Sequence, residues 1–224
     1  MHDLFPGRRF AAFLFDMDGT LTDSIAAANR VWRRWSLSHG LDPEKVLPLI
    51  HGVRAGDTIR KLKVPGIDVE KETEVIKQAE IDDVEGVVAI QGAPAFLETL
   101  PLDRWALVTS APRELALRRL AAAGLPAPRV MVSAEDVTRG KPAPDGFLRA
   151  ARLLHVPAHE CLVFEDTAAG AAAAEAAGAA VIVVNATHAT PIATSHPVIK
   201  DYDGLMPTFD RSNALGLANK VSPR

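Results

Sequence analysis

The chain has 224 residues, 48% of them hydrophobic, so it can bury a sizeable core in one large domain or two small ones. Its formal net charge of −3 gives no electrostatic basis for binding nucleic acid or an anionic membrane, and its one cysteine, Cys161, excludes an intrachain disulfide. No stretch is long and apolar enough to span a bilayer, and the N-terminal residues lack the pattern of a signal peptide. We therefore expect a cytoplasmic protein.

Apolar runs that predict β-strands alternate with helical patterns over most of the chain. The strands are expected near residues 10–15, 104–109, 129–133, 160–165 and 180–184, with a short last strand near 197–199. The helices between them are expected at 92–100, 112–124, 143–155 and 167–178. This alternation is typical of βαβ units, so it predicts an α/β fold with a parallel sheet and helices on both faces.

Prolines and glycines mark several of the predicted helix ends. Pro112 and Pro144 are expected in the first turn of a helix, where no backbone N–H is needed. Gly124 and Gly178 follow predicted helices, at the position where glycine commonly takes the left-handed conformation. The Ala-rich segment 168–177 has small side chains on all sides, which indicates a helix packed closely on the sheet.

The segment from residue 24 to residue 86 interrupts the alternation, because its patterns are helical throughout. Its helices are expected at 24–39, 43–50, 54–63 and 68–84. Trp32 and Trp35 share one helical face by their i, i+3 spacing, so we predict that both are core residues. An all-helical insert after the first strand is typical of a cap. We therefore predict a cap domain at 24–86 and a core domain formed by 1–23 and 87–224.

Two carboxylates follow the first predicted strand, in the sequence Asp16-Met17-Asp18-Gly19-Thr20. In extended chain, positions i and i+2 point to the same side, and Gly19 lets the backbone turn closely. This arrangement suits one nucleophile, one proton-transfer group and a hard cation. On its own the motif also fits a strand that ends in a solvated acidic turn.

Three further groups support a functional site. Thr109-Ser110 and Glu165-Asp166 each close an apolar, strand-like run, and Lys141 lies in the loop segment Gly140-Lys141-Pro142. In open α/β sheets, ligands bind outside the carboxyl ends of the strands. The topology therefore brings acids, hydroxyls and a lysine to one edge of the sheet.

These residues resemble the four motifs of the haloacid dehalogenase superfamily, specifically its phosphatases with a small helical cap. The matches are Asp16 to Ser24, Thr109, Lys141 with Pro142, and Glu165 to Gly170, in that order. The resemblance implies a Rossmann-like parallel sheet core with an inserted all-helical cap domain. The segments His51 to Arg54, Glu85-Gly86 with Gly92-Ala93, and Trp105 to Ser110 are similar to phosphatases that act on glycerol phosphate and 2-deoxyglucose 6-phosphate.

The resemblance implies a hydrolysis of phosphate esters that depends on Mg²⁺. Asp16 would attack phosphorus and form an aspartyl-phosphate, while Asp18 would protonate the leaving alcohol and later deprotonate the hydrolytic water. Asp16 and Asp166 would bind the cation through carboxylate oxygens, and Asp18 through its backbone carbonyl. The predicted partner is a small-molecule phosphate ester, and we expect a monomer or a weak dimer.

The remaining motif residues would act on the phosphoryl group. Lys141 and Thr109 would hold its non-bridging oxygens, where charge must be stabilised during transfer. Ser110 would contribute to phosphate binding through its backbone N–H. Glu165 would orient metal-bound waters or Lys141. Asp166 could also cap a helix, and the two roles do not exclude each other.

Polar residues of the cap are candidates for binding the leaving group. His51, Arg54 and Asp57 could face the substrate, and they could equally form the solvated start of a helix. Four other residues, Arg113, His155, His159 and His188, are interpreted as surface residues without a convincing partner.

Two alternatives to a phosphatase remain. A phosphosugar mutase of the β-phosphoglucomutase type shares the fold and all four motifs, but those mutases carry a histidine at the place of Ala28 and resemble Asp-Gly-Val where this chain has Asp18-Gly19-Thr20. Both departures favour hydrolysis. A non-catalytic protein that binds a phosphorylated metabolite is the alternative from another class, and the complete set of nucleophile, acid, lysine and metal carboxylates argues against it.

Overall fold

The computed structural model describes residues 2–188, 193–211 and 214–220. Its strands are β1 (His2–Asp3), β2 (Ala12–Phe15), β3 (Thr22–Asp23), β4 (Val88–Ala89), β5 (Trp105–Val108), β6 (Met131–Val132), β7 (Cys161–Glu165), β8 (Ala180–Val184), β9 (Val198–Ile199), β10 (Leu205–Phe209) and β11 (Leu215–Asn219). Its helices are α1 (Ile25–Ser38), α2 (Pro43–Val46), α3 (Ala55–Leu62), α4 (Val69–Asp82), α5 (Ala93–Glu98), α6 (Arg113–Ala122), α7 (Asp145–Leu153) and α8 (Ala168–Ala176).

The main sheet has six parallel strands in the order β6-β5-β2-β7-β8-β9. Every residue of β2, β5, β7 and β8 is buried, as expected for parallel strands covered on both faces. The predicted α/β fold class is therefore confirmed. The order places β2 between β5 and β7, so the segments that follow these three strands are neighbours in space.

Alternate residues of the strands supply two apolar clusters, one on each face of the sheet. Phe13 and Phe15 of β2 pack on the face that also holds Phe96, Phe164 and Tyr202. The cluster on the opposite face includes Ala12 and Leu14 of β2, Phe147 of α7 and the alanines of α8. The expected close packing of the Ala-rich helix on the sheet is thus observed.

Helices α1 to α4 pack around a separate apolar cluster. Trp32 and Trp35 belong to it, with ring centroids 5.5 Å apart, and both are buried. The two chain segments that join these helices to the sheet domain pair with each other as the antiparallel strands β3 and β4. The insert therefore leaves and rejoins the core at one place, beside Asp18.

Several boundaries differ from the sequence prediction for local reasons. The expected helix 43–50 is divided into α2 and a 3-10 turn at Leu47–Leu49 that contains Pro48. Pro112 and Pro144 immediately precede α6 and α7 instead of starting them. Gly124 and Gly178 take positive φ, as predicted.

The sequence did not predict a second sheet, in which β11 pairs with β1 and β10 in antiparallel orientation. Its strands are short and come from opposite ends of the chain, and Pro207 lies within β10, so no local pattern indicates their pairing. The expected strand near 197–199 is present as β9. Within the described residues, no helix is long and apolar enough to cross a membrane.

Candidate active site

The carboxyl ends of three adjacent strands bring the predicted motif residues together. Asp16 follows β2, Thr109 follows β5, and Glu165 ends β7, with Asp166 directly after it. All four side chains are buried, and so is Lys141, which reaches the same place from the loop before α7. Five polar residues from four chain segments, up to 150 positions apart in sequence, therefore share one site.

Lys141 lies between two carboxylates. Its Nζ donates to Asp16 Oδ1 and, at 2.5 Å, to Glu165 Oε1. Burial lowers the pKa of Lys141, but the two neighbouring carboxylates raise it by more, so the amine stays protonated. The lysine thus supplies a fixed positive charge next to Asp16.

Glu165 is held by its own loop. Its Oε2 accepts hydrogen bonds from the backbone N–H groups of Asp166 and Thr167, both at 2.8 Å, and from Thr167 Oγ1 at 3.0 Å. A Cβ at Gly170 would overlap this carboxylate, so only glycine allows α8 to begin so close to it. With Oε2 engaged by the loop and Oε1 by Lys141, Glu165 is well placed to orient the lysine.

Carboxylate oxygens of Asp16, Glu165 and Asp166 lie within 4.8 Å of one another. Burial raises the pKa of Asp16 well above its usual range, despite Lys141, and raises that of Asp166 to about 6. Burial and mutual repulsion disfavour the ionised forms of these carboxylates, and a hard cation with oxygen ligands would stabilise those forms. The residues therefore fit a divalent metal ion.

Two contacts of Asp166 add to this description. Thr20 Oγ1 donates to Asp166 Oδ1 at 3.3 Å, and His188 Nε2 lies 3.3 Å from Oδ2. The interpretation of His188 as a surface residue without a partner was therefore wrong. Arg113 lies at the surface as predicted, but it has a partner, because it donates to Asp136 at 2.7 Å; His155 and His159 are exposed.

Asp18 has different surroundings from Asp16. Its Oδ1 accepts a 2.5 Å hydrogen bond from Ser24 Oγ, and its Oδ2 lies 3.0 Å from Arg119 Nη1. Its side chain is 26% exposed, unlike that of Asp16. The two aspartates of the motif therefore differ in their surroundings: Asp16 belongs to the buried acidic cluster, and Asp18 is partly exposed and contacts Arg119.

The sequence analysis did not identify Arg119 or Glu80. Arg119 of α6 lies between Asp18 and Glu80 of α4, with Nη2 3.3 Å from Glu80 Oε1. Arg119 follows the buried residues Leu115 and Ala116 by four and three positions. An arginine on the apolar stripe of a predicted helix was the available signal.

A cavity separates the strand ends from the helical insert. It is lined by Asp16, Asp18, Ser24, Ile25, Ala28, Trp32, Ile50, His51, Gly52, Val53, Ala55, Glu80, Thr109, Ser110, Ala111, Pro112 and Arg119. The predicted residues Asp16, Asp18, His51, Thr109 and Ser110 are therefore brought together around one space. Burial lowers the pKa of His51, which favours a neutral imidazole.

Two predicted cap residues do not line this cavity. The guanidinium of Arg54 donates to Asp57 at 2.9 Å and to the carbonyl oxygens of Val137 and Thr138 at 3.2 and 3.0 Å. A Cβ at Gly140 would lie 2.6 Å from Arg54 Nε. Arg54 therefore forms a contact between insert and core, and Asp57 holds its guanidinium from within the insert.

Ser110 also contacts the insert through its side chain. Its Oγ donates to the carbonyl oxygen of Gly52 at 3.0 Å. Gly52 takes positive φ, and a Cβ there would lie 2.5 Å from Thr167 Oγ1. Glycine at this position lets the insert approach both motif loops closely.

The sheet and its polar edge define a hydrolytic enzyme whose site lies beneath a helical insert. A family model for haloacid dehalogenase-like hydrolases matches residues 10–178, and the chain belongs to that family. Enzymes of this superfamily generally use a divalent metal, which agrees with the acidic cluster.

Two curated relatives are phosphatases. The chain is 44% identical over 187 residues to hexitol phosphatase A of Escherichia coli, covering 82% of this chain and 87% of that protein. It is 32% identical over 187 residues to glycerol-1-phosphate phosphohydrolase 2 of Saccharomyces cerevisiae, covering 79% and 75%. The predicted enzyme class, a phosphoric monoester hydrolase, is confirmed.

Solved structures include similar folds. A hydrolase from Pseudomonas syringae superposes with a TM-score of 0.71 at 30% identity, covering 79% of this chain and 84% of that one. A putative β-phosphoglucomutase from Thermotoga maritima gives a TM-score of 0.60 at 28% identity, covering 84% and 94%.

Proposed function

We propose that the chain is a Mg²⁺-dependent phosphatase that hydrolyses small sugar or polyol phosphates through an aspartyl-phosphate on Asp16. The observation that carries this proposal is the pairing of buried Lys141 with Asp16, which lines the cavity. A carboxylate is a poor nucleophile towards a phosphate dianion, because like charges repel. The buried lysine offsets that repulsion, and a cation held by the adjoining acidic cluster would offset it further.

In the first step, an Asp16 oxygen forms a bond to phosphorus as the bond from phosphorus to the leaving oxygen breaks. Asp18, which borders the cavity, gives its proton to the leaving oxygen. In the second step, Asp18 takes a proton from water as that water attacks phosphorus and the bond to Asp16 breaks. Inorganic phosphate is released, and both aspartates return to their initial states.

Other residues stabilise the transferred group. Lys141 and Thr109 contact its non-bridging oxygens, and Ser110 contributes its backbone N–H. Glu165 fixes the lysine. Asp16 and Asp166, with the backbone carbonyl of Asp18, would hold Mg²⁺, which neutralises phosphate charge when bound.

The substrate class rests on the cavity and the relatives. The motif residues handle only the phosphoryl group, so the leaving group must be recognised by the helical insert. We take this insert as a cap domain at 24–86, and residues 1–23 and 87–224 as the core domain. His51, Glu80 and Arg119 give the cavity polar groups, which suits hydroxylated leaving groups. The names of the two relatives, a hexitol phosphatase and a glycerol-1-phosphate phosphohydrolase, support the same substrate class.

A mutase is the second candidate, because of the structural similarity to a putative β-phosphoglucomutase. Ala28 lines the cavity at the place where those mutases carry a histidine. A methyl group there cannot exchange protons with a sugar hydroxyl, so hydrolysis is favoured. A cytoplasmic location and a monomeric or weakly dimeric state remain predictions.

Purified protein should release inorganic phosphate from p-nitrophenyl phosphate and from a panel of sugar and polyol phosphates when Mg²⁺ is present. Product analysis with β-glucose 1-phosphate and a trace of the bisphosphate separates the two candidates. Free phosphate as the main product supports the phosphatase. Glucose 6-phosphate with little free phosphate would replace the proposal with the mutase.

A further inference from the structure

Arg119 connects the core to the helical insert beside the candidate acid–base residue. Its guanidinium lies 3.0 Å from Asp18 Oδ2 through Nη1 and 3.3 Å from Glu80 Oε1 through Nη2. The side chain of Arg119 is 5% exposed and that of Glu80 is 11% exposed. A charged group so deeply buried is costly to maintain unless its hydrogen-bonding capacity is used.

That capacity is not fully used by the protein. Among the described residues, Nε of Arg119 has no hydrogen-bond acceptor, and Nη2 has only the 3.3 Å contact with Glu80 Oε1, which is not a well-formed hydrogen bond. Buried polar groups almost always have a partner. Arg119 and Glu80 both line the cavity above Asp16, so the missing partner can be supplied from the cavity.

We propose that Arg119 and Glu80 form a subsite for a hydroxyl of the leaving alcohol, so that the enzyme selects phosphate esters carrying a hydroxyl near the ester oxygen over simple alkyl phosphates. This inference rests on the proposed function. The hydroxyl oxygen accepts from Arg119, and its hydrogen is donated to Glu80. A hydroxyl is a small neutral group that can accept from the guanidinium and donate to the carboxylate at once.

The position of the subsite follows from Asp18. Asp18 must reach the leaving oxygen to protonate it, and Arg119 contacts Asp18 directly. The Glu80 carboxylate lies on the far side of the same guanidinium. The subsite is therefore one guanidinium away from the leaving oxygen, which corresponds to the first carbons of the leaving alcohol.

Trp32 and Ala28 border the same cavity. Their apolar surfaces can contact the carbon skeleton of a polyol, while Arg119 and Glu80 bind a hydroxyl. An ester without hydroxyls would leave the buried Arg119 donor unpaired, and sites of this kind discriminate strongly against such analogues.

The test compares kcat/KM for glycerol 1-phosphate and n-propyl phosphate, which share a three-carbon skeleton and differ in their hydroxyls. The wild type should prefer glycerol 1-phosphate by about 10- to 100-fold, as expected for hydrogen bonds to charged groups. Glu80→Met removes both carboxylate oxygens at similar length and should reduce this preference to within about threefold of unity. Glu80→Gln should reduce it by a smaller factor, because the amide still accepts a hydrogen bond.

Glu74→Gln is the matched control, because Glu74 lies on the same helix, is exposed and contacts Lys77. It should keep the wild-type preference. If Glu80 only holds the insert against the core, kcat/KM will fall by the same factor for both esters. The preference will then be unchanged, which would overturn the proposal. If Glu80→Met does not fold by circular dichroism, an unchanged preference in Glu80→Gln would overturn it instead.

Failure of the proposed function gives a different result. In that case the wild type would release phosphate from no ester, including p-nitrophenyl phosphate, and the subsite would have no leaving group to bind. Active wild-type protein without a preference for glycerol 1-phosphate would refute the subsite alone.

Discussion

Ser24 Oγ donates a 2.5 Å hydrogen bond to Asp18 Oδ1, and Ser24 is the residue immediately before the first helix of the insert. Asp18 is thereby fixed from the side of the insert, while Arg119 fixes it from the core. The candidate proton-transfer residue is held where the two parts of the molecule meet. The position of the insert and the orientation of the acid are therefore linked.

Asp18→Asn should slow the release of phosphate from an alkyl phosphate by about 10²–10⁴-fold, the usual effect of losing a general acid–base group. With p-nitrophenyl phosphate, whose leaving group needs little protonation, formation of the phosphoenzyme should be less impaired than its hydrolysis. Rapid-quench measurements of both steps check this. Equal loss in both steps for both substrates would mean that Asp18 has only a structural role.

Removal of divalent metal with EDTA should abolish activity, and addition of Mg²⁺ should restore it. Asp166→Ala should weaken metal binding, because it removes one of few protein ligands from the acidic cluster. Titration of Mg²⁺ against activity, together with a thermal shift for each protein, measures the loss. Full activity of metal-stripped protein would contradict the role of the cluster.

Gly19→Ala should be more harmful than the same change at Gly66. Both glycines take positive φ, but a Cβ at Gly19 would overlap the Asp166 carboxylate, whereas a Cβ at Gly66 would have no neighbour within 4 Å in the described part of the chain. Gly66→Ala should cost about 1–2 kcal/mol in the free energy of unfolding, the cost of the left-handed conformation alone. Gly19→Ala should lose activity as well, because Asp166 must move. Similar activities for the two variants would contradict this account.

Asp83 should stabilise the insert in a pH-dependent manner. Hydrogen bonds from Arg30, with support from Arg34, lower the pKa of Asp83 from 3.8 to about 2. Its contribution is therefore present above pH 3.8 and lost as the pH falls through about 2. Asp83→Asn should reduce the free energy of unfolding at pH 7 by about 0.5–1 kcal/mol, since both arginines are partly exposed.

The control for Asp83 is Asp82→Asn, because Asp82 is exposed and accepts a hydrogen bond from the neutral side chain of Gln78. Urea unfolding of both variants between pH 7 and pH 2 gives the comparison. A difference between Asp83→Asn and the wild type that does not shrink at low pH would exclude the ion pairs as its cause.

The motif residues of the core could be located from sequence because local pattern and sheet topology act together. An apolar run predicts a buried strand, and a parallel sheet brings the ends of such strands to one edge. Asp16, Thr109 and Asp166 needed no further information. Lys141 lies in a loop, and only its resemblance to a known motif indicated its position.

The contacts between insert and core could not be predicted, because they depend on how two separately patterned units pack. Glu80 and Arg119 belong to two different helices, and no pattern in either helix predicts their contact. Arg54 was a candidate for facing the substrate or for the solvated start of a helix, but it donates to carbonyl oxygens of the core loop at Val137 and Thr138. Polar side chains at such a boundary form hydrogen bonds with whichever groups the packing brings near them.

The most direct test of the central claim is to trap the phosphoenzyme. Wild-type protein mixed with Mg²⁺ and substrate is quenched in acid within milliseconds and reduced with borohydride, which converts an aspartyl-phosphate to homoserine. Peptide mass spectrometry should find the reduced residue at position 16, and Asp16→Asn should show neither this product nor phosphate release. Phosphate release by the wild type without modification of Asp16, or with modification at another residue, would contradict the account.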